Sequence, residues 1–401
     1  MKQPNAALSR FGTTIFTTMS ALALECGAVN LGQGFPDEDG PLEIRRAAAE
    51  AVLAGPNQYP PMRGIEELRQ AVAAHDRRFH GLEVDWRSEV MVTSGATEAL
   101  ACCFFGLLEP GDEVVLIEPL YDSYLPIVER AGAVARRVRL QPPGWELPKD
   151  ALAAAFSAKT KLLVVNSPLN PVGKVFGRDE LAFLGELLEA HDAYAVCDEV
   201  YEHLTFDGRR HIPLITLPGM RERCLRVGSA GKTFSMTGWK VGWVVAAPSL
   251  IDAAARAHQF LTFTTPPDLQ RAVATALAMD DGYFSGLATA QQGKRDRLAA
   301  GLTQAGFRVL ETAGTYFLIA DFRPLDPDGR FTDDDLAFCR HLTRDVGVAA
   351  IPLSAFYGDA PPQGCIRFCF CKQDAVLDEA AVRLQRFFAK PSVSHCTDVI
   401  G

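Results

Sequence analysis

The chain has 401 residues, of which 48% are hydrophobic and 22% are charged, and its formal net charge is −9. This composition predicts a globular protein with a substantial core, and the acidic balance argues against a nucleic-acid partner. The sequence has no apolar run of the roughly 18 residues that a membrane span needs, no signal-peptide-like start and ten scattered cysteines, which predicts a cytoplasmic protein with reduced thiols and no membrane partner.

The first part of the chain combines helices with stiff polar loops. A weakly helical segment contains Phe16, and a short strand with a Gly/Pro turn over residues 28–37 contains Gly34. Helices are predicted over residues 42–53 and 65–78. The polar loop of residues 57–64 between them presents one exposed aromatic side chain, Tyr59.

From residue 89 onwards, strands alternate with helices. The predicted strands are 90–93, 113–117, 134–140, 161–166, 193–197, 224–228 and 241–247, and the predicted helices are 98–108, 121–131, 178–190, 250–257 and 269–279. Continuous apolar strands separated by helices indicate an α/β fold with a mainly parallel sheet covered on both faces. Such sheets bind ligands at the carboxyl ends of their strands, where we expect the functional site.

A long helix over residues 284–305 is predicted to lead into a smaller α+β lobe. The predicted strands of this lobe are 308–310, 316–320, 348–351 and 365–371, and its predicted helices are 333–345 and 374–389. The polar tail after residue 390 is expected to be mobile. Cys365, Cys369 and Cys371 lack the two-residue spacing of zinc knuckles and have no nearby histidine, so no metal site is predicted.

The stretch from Ser229 to Trp243 carries the strongest chemical signal. Lys232 lies between two apolar strands, where loss of hydration lowers the pKa of an amine and makes it available for Schiff-base chemistry. Ser229 and Lys240 flank this lysine and are candidates to bind an anion. The alternative is that this stretch is a solvated surface loop.

A phosphorylated aromatic aldehyde would match other polar residues at the strand ends. Its phosphate needs amides at a helix N-terminus, its ring nitrogen needs a carboxylate, its ring oxygen needs donors and its ring needs an aromatic neighbour. The candidates are Gly95, Ala96 and Thr97 for the amides, Asp198 for the carboxylate, Asn170 and Tyr201 for the donors, and Tyr121 for the ring.

Each of these assignments has a structural alternative. Asp198 could cap the helix that follows it. The turn at Gly95 could simply join a strand to a helix, and Tyr121 could belong to the core. The prolines of residues 166–173 could fix a stiff turn.

Three motifs carry a resemblance to a known family. Asn-x-Pro-x-Asn-Pro-x-Gly at 166–173, Asp-Glu-x-Tyr at 198–201, and Ser-x-x-Lys at 229–232 followed by Gly-Trp-Lys resemble the class I and II aminotransferases, pyridoxal-phosphate enzymes of fold type I. The similarity extends over nearly the whole chain. Residues 29–37, 229–235 and 366–370 are most similar to the kynurenine, glutamine and methionine aminotransferases.

This resemblance implies roles in binding pyridoxal 5′-phosphate. Lys232 would form the Schiff base and shuttle a proton, Asp198 would pair with the ring nitrogen, and Tyr59 would reach the phosphate of a neighbouring subunit, which implies a homodimer with shared sites. Asn170 and Tyr201 would bind the ring oxygen, Tyr121 would stack on the ring, and Gly95, Ala96, Thr97, Ser229 and Lys240 would hold the phosphate.

The resemblance also implies how a substrate binds. Arg367 would grip the α-carboxylate, helped by Asn170 and the backbone of Gly34, although a structural salt bridge is an alternative for this arginine. Residues 258–268, where aspartate-selective relatives carry an arginine, contain no arginine or lysine. With Phe263, Phe16 and Tyr124 expected nearby, we predict uncharged or aromatic amino-acid substrates: methionine, glutamine, phenylalanine or kynurenine. 

Four other functions stay open at this point. They are a carbon–sulfur β-lyase acting on cystathionine or cysteine conjugates, an N-succinyldiaminopimelate aminotransferase, an aspartate aminotransferase, and a regulator domain without enzymatic activity. The last would require a DNA-binding domain before residue 16, for which we expect no room. We expect an N-terminal arm and part of the small domain in residues 1–45, a large cofactor-binding domain in 46–290 and the small domain in 291–401.

Overall fold

The computed structural model describes residues 2, 5–331 and 333–388. Its α-helices are α1 (Ile15–Cys26), α2 (Leu42–Ala54), α3 (Glu66–His80), α4 (Gly95–Leu107), α5 (Tyr124–Arg130), α6 (Lys149–Ala155), α7 (Arg178–Ala190), α8 (Ala230–Thr233), α9 (Pro248–Leu261), α10 (Pro267–Leu277), α11 (Asp281–Gln304), α12 (Asp335–His341) and α13 (Asp374–Phe388). Its strands are β1 (Val29–Asn30), β2 (Val90–Thr93), β3 (Glu113–Glu118), β4 (Val134–Arg139), β5 (Thr160–Asn166), β6 (Tyr194–Asp198), β7 (Cys224–Ser229), β8 (Gly242–Val245), β9 (Arg308–Val309), β10 (Phe317–Asp321), β11 (Val348–Ala349), β12 (Ile351–Pro352) and β13 (Cys365–Cys369).

A seven-stranded sheet in the order β2-β8-β7-β6-β5-β3-β4 is the frame of the molecule. Strand β8 is antiparallel to both of its neighbours, and the other neighbouring pairs are parallel. Strands β2, β3 and β8 are buried along their whole length, as expected where helices cover both faces. The predicted α/β fold with a mainly parallel sheet is therefore confirmed.

Alternation along the strands divides the core between the two faces of this sheet. Val114 and Leu116 of β3 belong to one cluster, to which α4 and α9 contribute. Val115 and Ile117 point to the opposite face and belong to a second, larger cluster. None of the described helices combines the length and the apolar composition that crossing a bilayer requires.

A second sheet, antiparallel throughout, has the order β12-β13-β10-β9. The single strand predicted over residues 348–351 is divided between two sheets, because β11 pairs in parallel with β1 whereas β12 pairs with β13. The β1–β11 pair joins the N-terminal part of the chain to this lobe. The exact domain boundaries stay predictions.

Several helix boundaries differ from the sequence-based predictions. Helix α4 begins at Gly95, three residues before the predicted start, and α5 begins at Tyr124, three residues after it. Helix α6 and the one-turn helix α8 were not predicted, because such short helices are too brief to show a hydrophobic period. The predicted mobile tail lies outside the described residues.

A buried ionic network fixes the turn that follows β6. The guanidinium group of Arg226, which is fully buried in β7, donates hydrogen bonds to Asp76 (2.5 Å), Glu199 (2.6 Å) and Glu202. Burial opposes ionisation of Glu202, but Arg226 together with the neighbouring histidines outweighs it and lowers the pKa of this carboxyl well below 4.5. The pKa of Glu199 is also lowered, because His211 and Arg226 outweigh its burial.

We expect Arg226→Met to lower the free energy of unfolding by about 3–5 kcal/mol, because it leaves three buried carboxylates without their shared cation. Arg209→Met is the matched control, since it removes an exposed ion pair with Glu311 and should cost less than about 1 kcal/mol. Urea unfolding measures both.

The same network predicts how the difference in free energy of unfolding between the wild type and Arg226→Met depends on pH. Both glutamate pKa values are lower in the folded chain than the ordinary 4.5, so the network stabilises fully above that pH and loses its contribution as the pH falls through the folded values. The gap between wild type and Arg226→Met should therefore narrow below about pH 4.5. Equal losses of the free energy of unfolding in Arg226→Met and Arg209→Met at neutral pH would contradict this account.

Candidate active site

A cavity of about 340 Å³ lies at the carboxyl edge of the large sheet. It is lined by Phe16, Thr17, Gln33, Gly34, Phe35, Gly95, Ala96, Thr97, Leu100, Tyr121, Asn166, Asn170, Asp198, Val200, Tyr201, Ser229, Gly231, Lys232, Thr237, Lys240, Val241, Phe317 and Arg367. Strands β2, β5, β6 and β7 all end at it, as expected for a parallel sheet.

Lys232 lies on the one-turn helix α8 rather than on an irregular loop. The Ser229 hydroxyl caps this helix by accepting a hydrogen bond from the Gly231 amide (3.2 Å). The ammonium group of Lys232 donates to the carbonyl of Gly34 (3.3 Å). Burial, assisted by the charge of Arg367, lowers the pKa of Lys232, while nearby thiols and Asp198 oppose that shift. The amine is thereby brought closer to its neutral, nucleophilic form.

Two tyrosines that the sequence did not reveal hold the backbone of α8. The hydroxyl of Tyr316, which is fully buried, donates to the Lys232 carbonyl, and the hydroxyl of Tyr283 donates to the Thr233 carbonyl (2.9 Å). The sequence offered one signal, since a buried tyrosine hydroxyl needs a hydrogen-bond partner. It did not identify that partner, because the two residues are far apart in the chain. These hydrogen bonds fix the backbone position from which the Lys232 side chain extends.

Asp198 ends β6 and is 4% exposed. Its carboxylate accepts a hydrogen bond from the Tyr124 hydroxyl (2.5 Å) and a longer one from the Val200 amide (3.4 Å). Burial raises the pKa of Asp198, while these donors and Lys232 act in the opposite direction. A buried carboxylate with spare acceptor capacity is suited to bind a protonated ring nitrogen.

Tyr124 differs from its predicted place. It was expected to contact the substrate, but it is 2% exposed and does not line the cavity. Its position at the start of α5 directs the hydroxyl at Asp198 from beneath the cavity. Tyr121, one turn earlier in the chain, lines the cavity instead.

Arg367 lies in the middle of β13 and is 1% exposed. Its guanidinium carbon lies 4.0 Å from the ring centre of Phe317, 4.9 Å from that of Phe356 and 5.0 Å from that of Phe16. Burial among these rings lowers its pKa to about 10.

The hydrogen bonds of Arg367 are incomplete. One terminal nitrogen donates to the Asn170 side-chain oxygen (3.2 Å) and the other to the Gly32 carbonyl (2.7 Å), whereas Nε is buried without a partner. Gly34, which lines the same part of the cavity, has no room for a side chain, because a Cβ there would lie 2.4 Å from the ring of Phe317. A carboxylate is the natural acceptor for such a guanidinium group.

An anion-binding corner lies at the N-terminus of α4. The residues that surround it are Gly95, Ala96, Thr97, Ser229 and Lys240. Gly95 has a left-handed backbone (φ 75°), and a Cβ at this position would approach the Lys240 ammonium group to 3.3 Å. Amides, hydroxyls and an ammonium group converge here, which is the combination that binds phosphate.

Two further predicted site residues, besides Tyr124, lie outside the cavity. Tyr59 is 83% exposed and Phe263 is 42% exposed, and their ring centres are 5.5 Å apart. The structure therefore brings these two residues together on one exposed surface and not in the cavity of their own chain.

Comparisons with known proteins agree with this geometry. The family profile described as "Aminotransferase class I and II" matches residues 27–384. A protein of Mycobacterium tuberculosis described as a probable N-succinyldiaminopimelate aminotransferase is 48% identical over 396 residues, with 96% of this chain and 98% of that protein covered. The methionine aminotransferase of Escherichia coli is 40% identical, again with 96% and 98% covered.

A solved structure supports the same assignment. That of N-succinyldiaminopimelate aminotransferase from Mycobacterium tuberculosis has a TM-score of 0.92 to this chain at 48% identity, with 96% of this chain and 100% of that one covered. The resemblance that the motifs indicated is thus confirmed over nearly the whole sequence. The chain belongs to the class I and II aminotransferase family, and it is an aminotransferase of fold type I.

Proposed function

We propose that this aminotransferase uses pyridoxal 5′-phosphate to move the amino group of an uncharged or aromatic amino acid to a 2-oxo acid. The observation that carries the proposal is Arg367, which lines the same cavity as Lys232 and has more N–H donors than the two that bind Asn170 and Gly32. An α-carboxylate would complete its hydrogen bonds and bring the substrate amine to the lysine.

The residues present fit the cofactor. The anion-binding corner at α4 suits its phosphate, and the spare acceptor capacity of Asp198 suits its ring nitrogen. Asn170, Tyr201 and Tyr121 line the space between these two ends. When bound, pyridoxal phosphate supplies a ring that accepts the electron pair of the substrate Cα–H bond.

The protein would contribute binding and proton movement. Lys232 Nζ would hold the cofactor and, when free, would accept the proton of the substrate Cα and move it as a general acid–base group. Asp198 would keep the ring nitrogen protonated, with Tyr124 fixing its orientation. Arg367 and Asn170 would orient the carboxylate, and the aromatic rings around Arg367 exclude water.

The cavity lining supports an uncharged side chain. The N-terminal segment of the chain contributes part of the cavity wall, namely Phe16, Thr17, Gln33 and Phe35. None of these side chains carries a charge. The cations among the described lining residues are Lys232, Lys240 and Arg367, each with a task in the proposal. A second substrate carboxylate would be desolvated without a counter-ion there.

N-succinyldiaminopimelate is a second candidate substrate. It is favoured by the 48% identity to the Mycobacterium tuberculosis protein that bears this name. Its second and third carboxylates would have to lie beyond the cavity mouth, in contact with water or with a partner subunit.

We further propose a homodimer with shared sites in the cytoplasm. The exposed pair of Tyr59 and Phe263, together with Phe260 (83% exposed), forms an apolar surface on which a second copy would pack. Tyr59 would then reach the phosphate of the partner's site.

The substrate proposal is tested by adding single amino acids to cofactor-saturated protein without any 2-oxo acid. We expect methionine, glutamine or phenylalanine to bleach the visible absorbance of the bound cofactor at least roughly tenfold faster than aspartate does. Their side chains carry no carboxylate that would lack a counter-ion in the cavity. Lys232→Ala should lower this rate roughly 10³-fold. A fastest reaction with N-succinyldiaminopimelate would favour the second candidate, and pyruvate released from cystathionine would indicate a β-lyase.

Tyr124→Phe is expected to lower kcat about tenfold with little effect on KM, since it removes a hydrogen bond to a buried carboxylate and no substrate contact. The loss of this donor raises the pKa of Asp198 further, so the acidic limb of the kcat/KM profile should move to higher pH. Tyr357→Phe is the matched control, because that buried hydroxyl donates to the Leu140 carbonyl (2.9 Å) away from Asp198. A shift in KM alone would argue that Tyr124 contacts substrate after all.

Shared sites are tested with mixed subunits. Lys232→Ala subunits retain Tyr59, and Tyr59→Ala subunits retain Lys232, so a refolded mixture should be more active than the sum of the separate variants. Purely additive activity, or a monomer by light scattering, would contradict shared sites.

A further inference from the structure

The strand that carries Arg367 ends in a pair of thiols without a role in the proposed mechanism. Cys369 and Cys371 are both fully buried, and their sulfur atoms lie 3.2 Å apart and share a hydrogen bond. Residues two apart in an extended chain point to the same side. Both thiols accordingly belong to a small cluster with Tyr201 and Tyr316, next to the cavity.

We propose that Cys369 and Cys371 are a modification site, at which a hydroperoxide-class oxidant closes a disulfide that slows transamination. The Cys369 thiolate attacks one oxygen of hydrogen peroxide, the O–O bond breaks, and a sulfenic acid and hydroxide form. The Cys371 thiol then attacks the sulfenic sulfur and expels its oxygen as water. In total, two thiols and one peroxide give one disulfide and two waters.

The charges around the pair favour this order of reaction. Burial opposes ionisation of Cys369, but the hydrogen bond from Cys371 and the positive charges of Lys372 and Arg367 lower its pKa. Burial and the neighbouring thiol raise the pKa of Cys371, so Cys369 is the attacking thiolate.

Neither thiol lines the cavity, but both pack in one buried cluster with Tyr201 and Phe317, which do line it, so the cavity is the side from which an oxidant would approach. Hydrogen peroxide is small and uncharged, so it can approach where a larger reagent is excluded. The residue before the pair on the same strand, Phe368, is fully buried, which closes the opposite side.

A disulfide here would disturb contacts on both sides of the pair. Arg367 precedes Cys369 by two residues, and Lys372, which follows Cys371, donates to the Phe35 carbonyl at the cavity wall (2.9 Å). Bringing the sulfurs from 3.2 Å to the roughly 2.05 Å of a disulfide requires the backbone between these contacts to shift. We expect substrate binding to weaken as a result.

The sequence provides a direct assay. Trypsin cleaves after Arg367 and after Lys372, which releases Phe-Cys-Phe-Cys-Lys with both thiols and no other cysteine. After treatment of the holoenzyme with hydrogen peroxide, this peptide should lose two hydrogens and resist alkylation, while the amino-acid KM rises roughly tenfold. Dithiothreitol should reverse both changes. The kinetic effect rests on the proposed function, whereas the mass of the peptide does not.

Variants separate this pair from other thiols. Cys369→Ala and Cys369→Val should keep their KM under peroxide, because they lack the thiolate that attacks the oxidant, and two substitutions are used because one can fail to pack in the buried cluster. Cys26→Ser is the matched control, since Cys26 is exposed, and this variant should respond to peroxide as the wild type does. A peptide that stays reduced while KM rises, a disulfide without any kinetic change, or Cys369 variants as sensitive as the wild type would each overturn the proposal.

Discussion

Desolvation of three ionisable groups in one cavity is the constraint on which the site depends. Burial lowers the pKa of Lys232 and of Arg367 and raises that of Asp198, so it disfavours the charged form of each. Each group is therefore supported by fixed polar neighbours, such as the Tyr124 hydroxyl for Asp198 and the Asn170 side chain for Arg367. All three groups line the cavity, where a ligand with matching charges is stabilised more strongly than in water.

The turn that follows β6 contributes some of its residues to the cavity and others to the buried ionic network around Arg226. Asp198 and Tyr201 line the cavity, whereas Glu199 and Glu202 bind the fully buried Arg226 on the neighbouring strand β7. The turn is thus held by charge on one side and by the Tyr124 hydroxyl on the other. A carboxylate held from both sides needs no reorganisation when its ligand arrives, which is the condition for electrostatic preorganisation.

The sequence predicted what is encoded locally and failed where contacts are distant. Strand ends such as Asp198 could be placed because buried strands are continuous apolar runs, and parallel strands bring their carboxyl ends together. Tyr316 could not be assigned to the Lys232 carbonyl, since the two are 84 residues apart and no local pattern marks the pair. Tyr124 was expected near the substrate, but it begins α5 and its hydroxyl binds Asp198 instead, a contact with a residue 74 positions away that no local pattern marks. Tyr59 and Phe263 lie on an exposed surface outside the cavity, so a role for them in the site would require the proposed second subunit.

Substrate selection follows from how the carboxylate is bound. Arg367 belongs to β13 of the second sheet, whereas Asn170 follows β5 of the first, and the 3.2 Å hydrogen bond between them joins the two sheets at the cavity. An α-carboxylate bound at this junction would contact residues of both sheets. Every α-amino acid carries this group, so its binding energy would not distinguish one substrate from another. Under the proposed function, discrimination among amino acids would then come from the uncharged part of the cavity wall around Phe16, Thr17, Gln33 and Phe35. These residues would select by the cost of desolvating a charged side chain rather than by a specific ion pair.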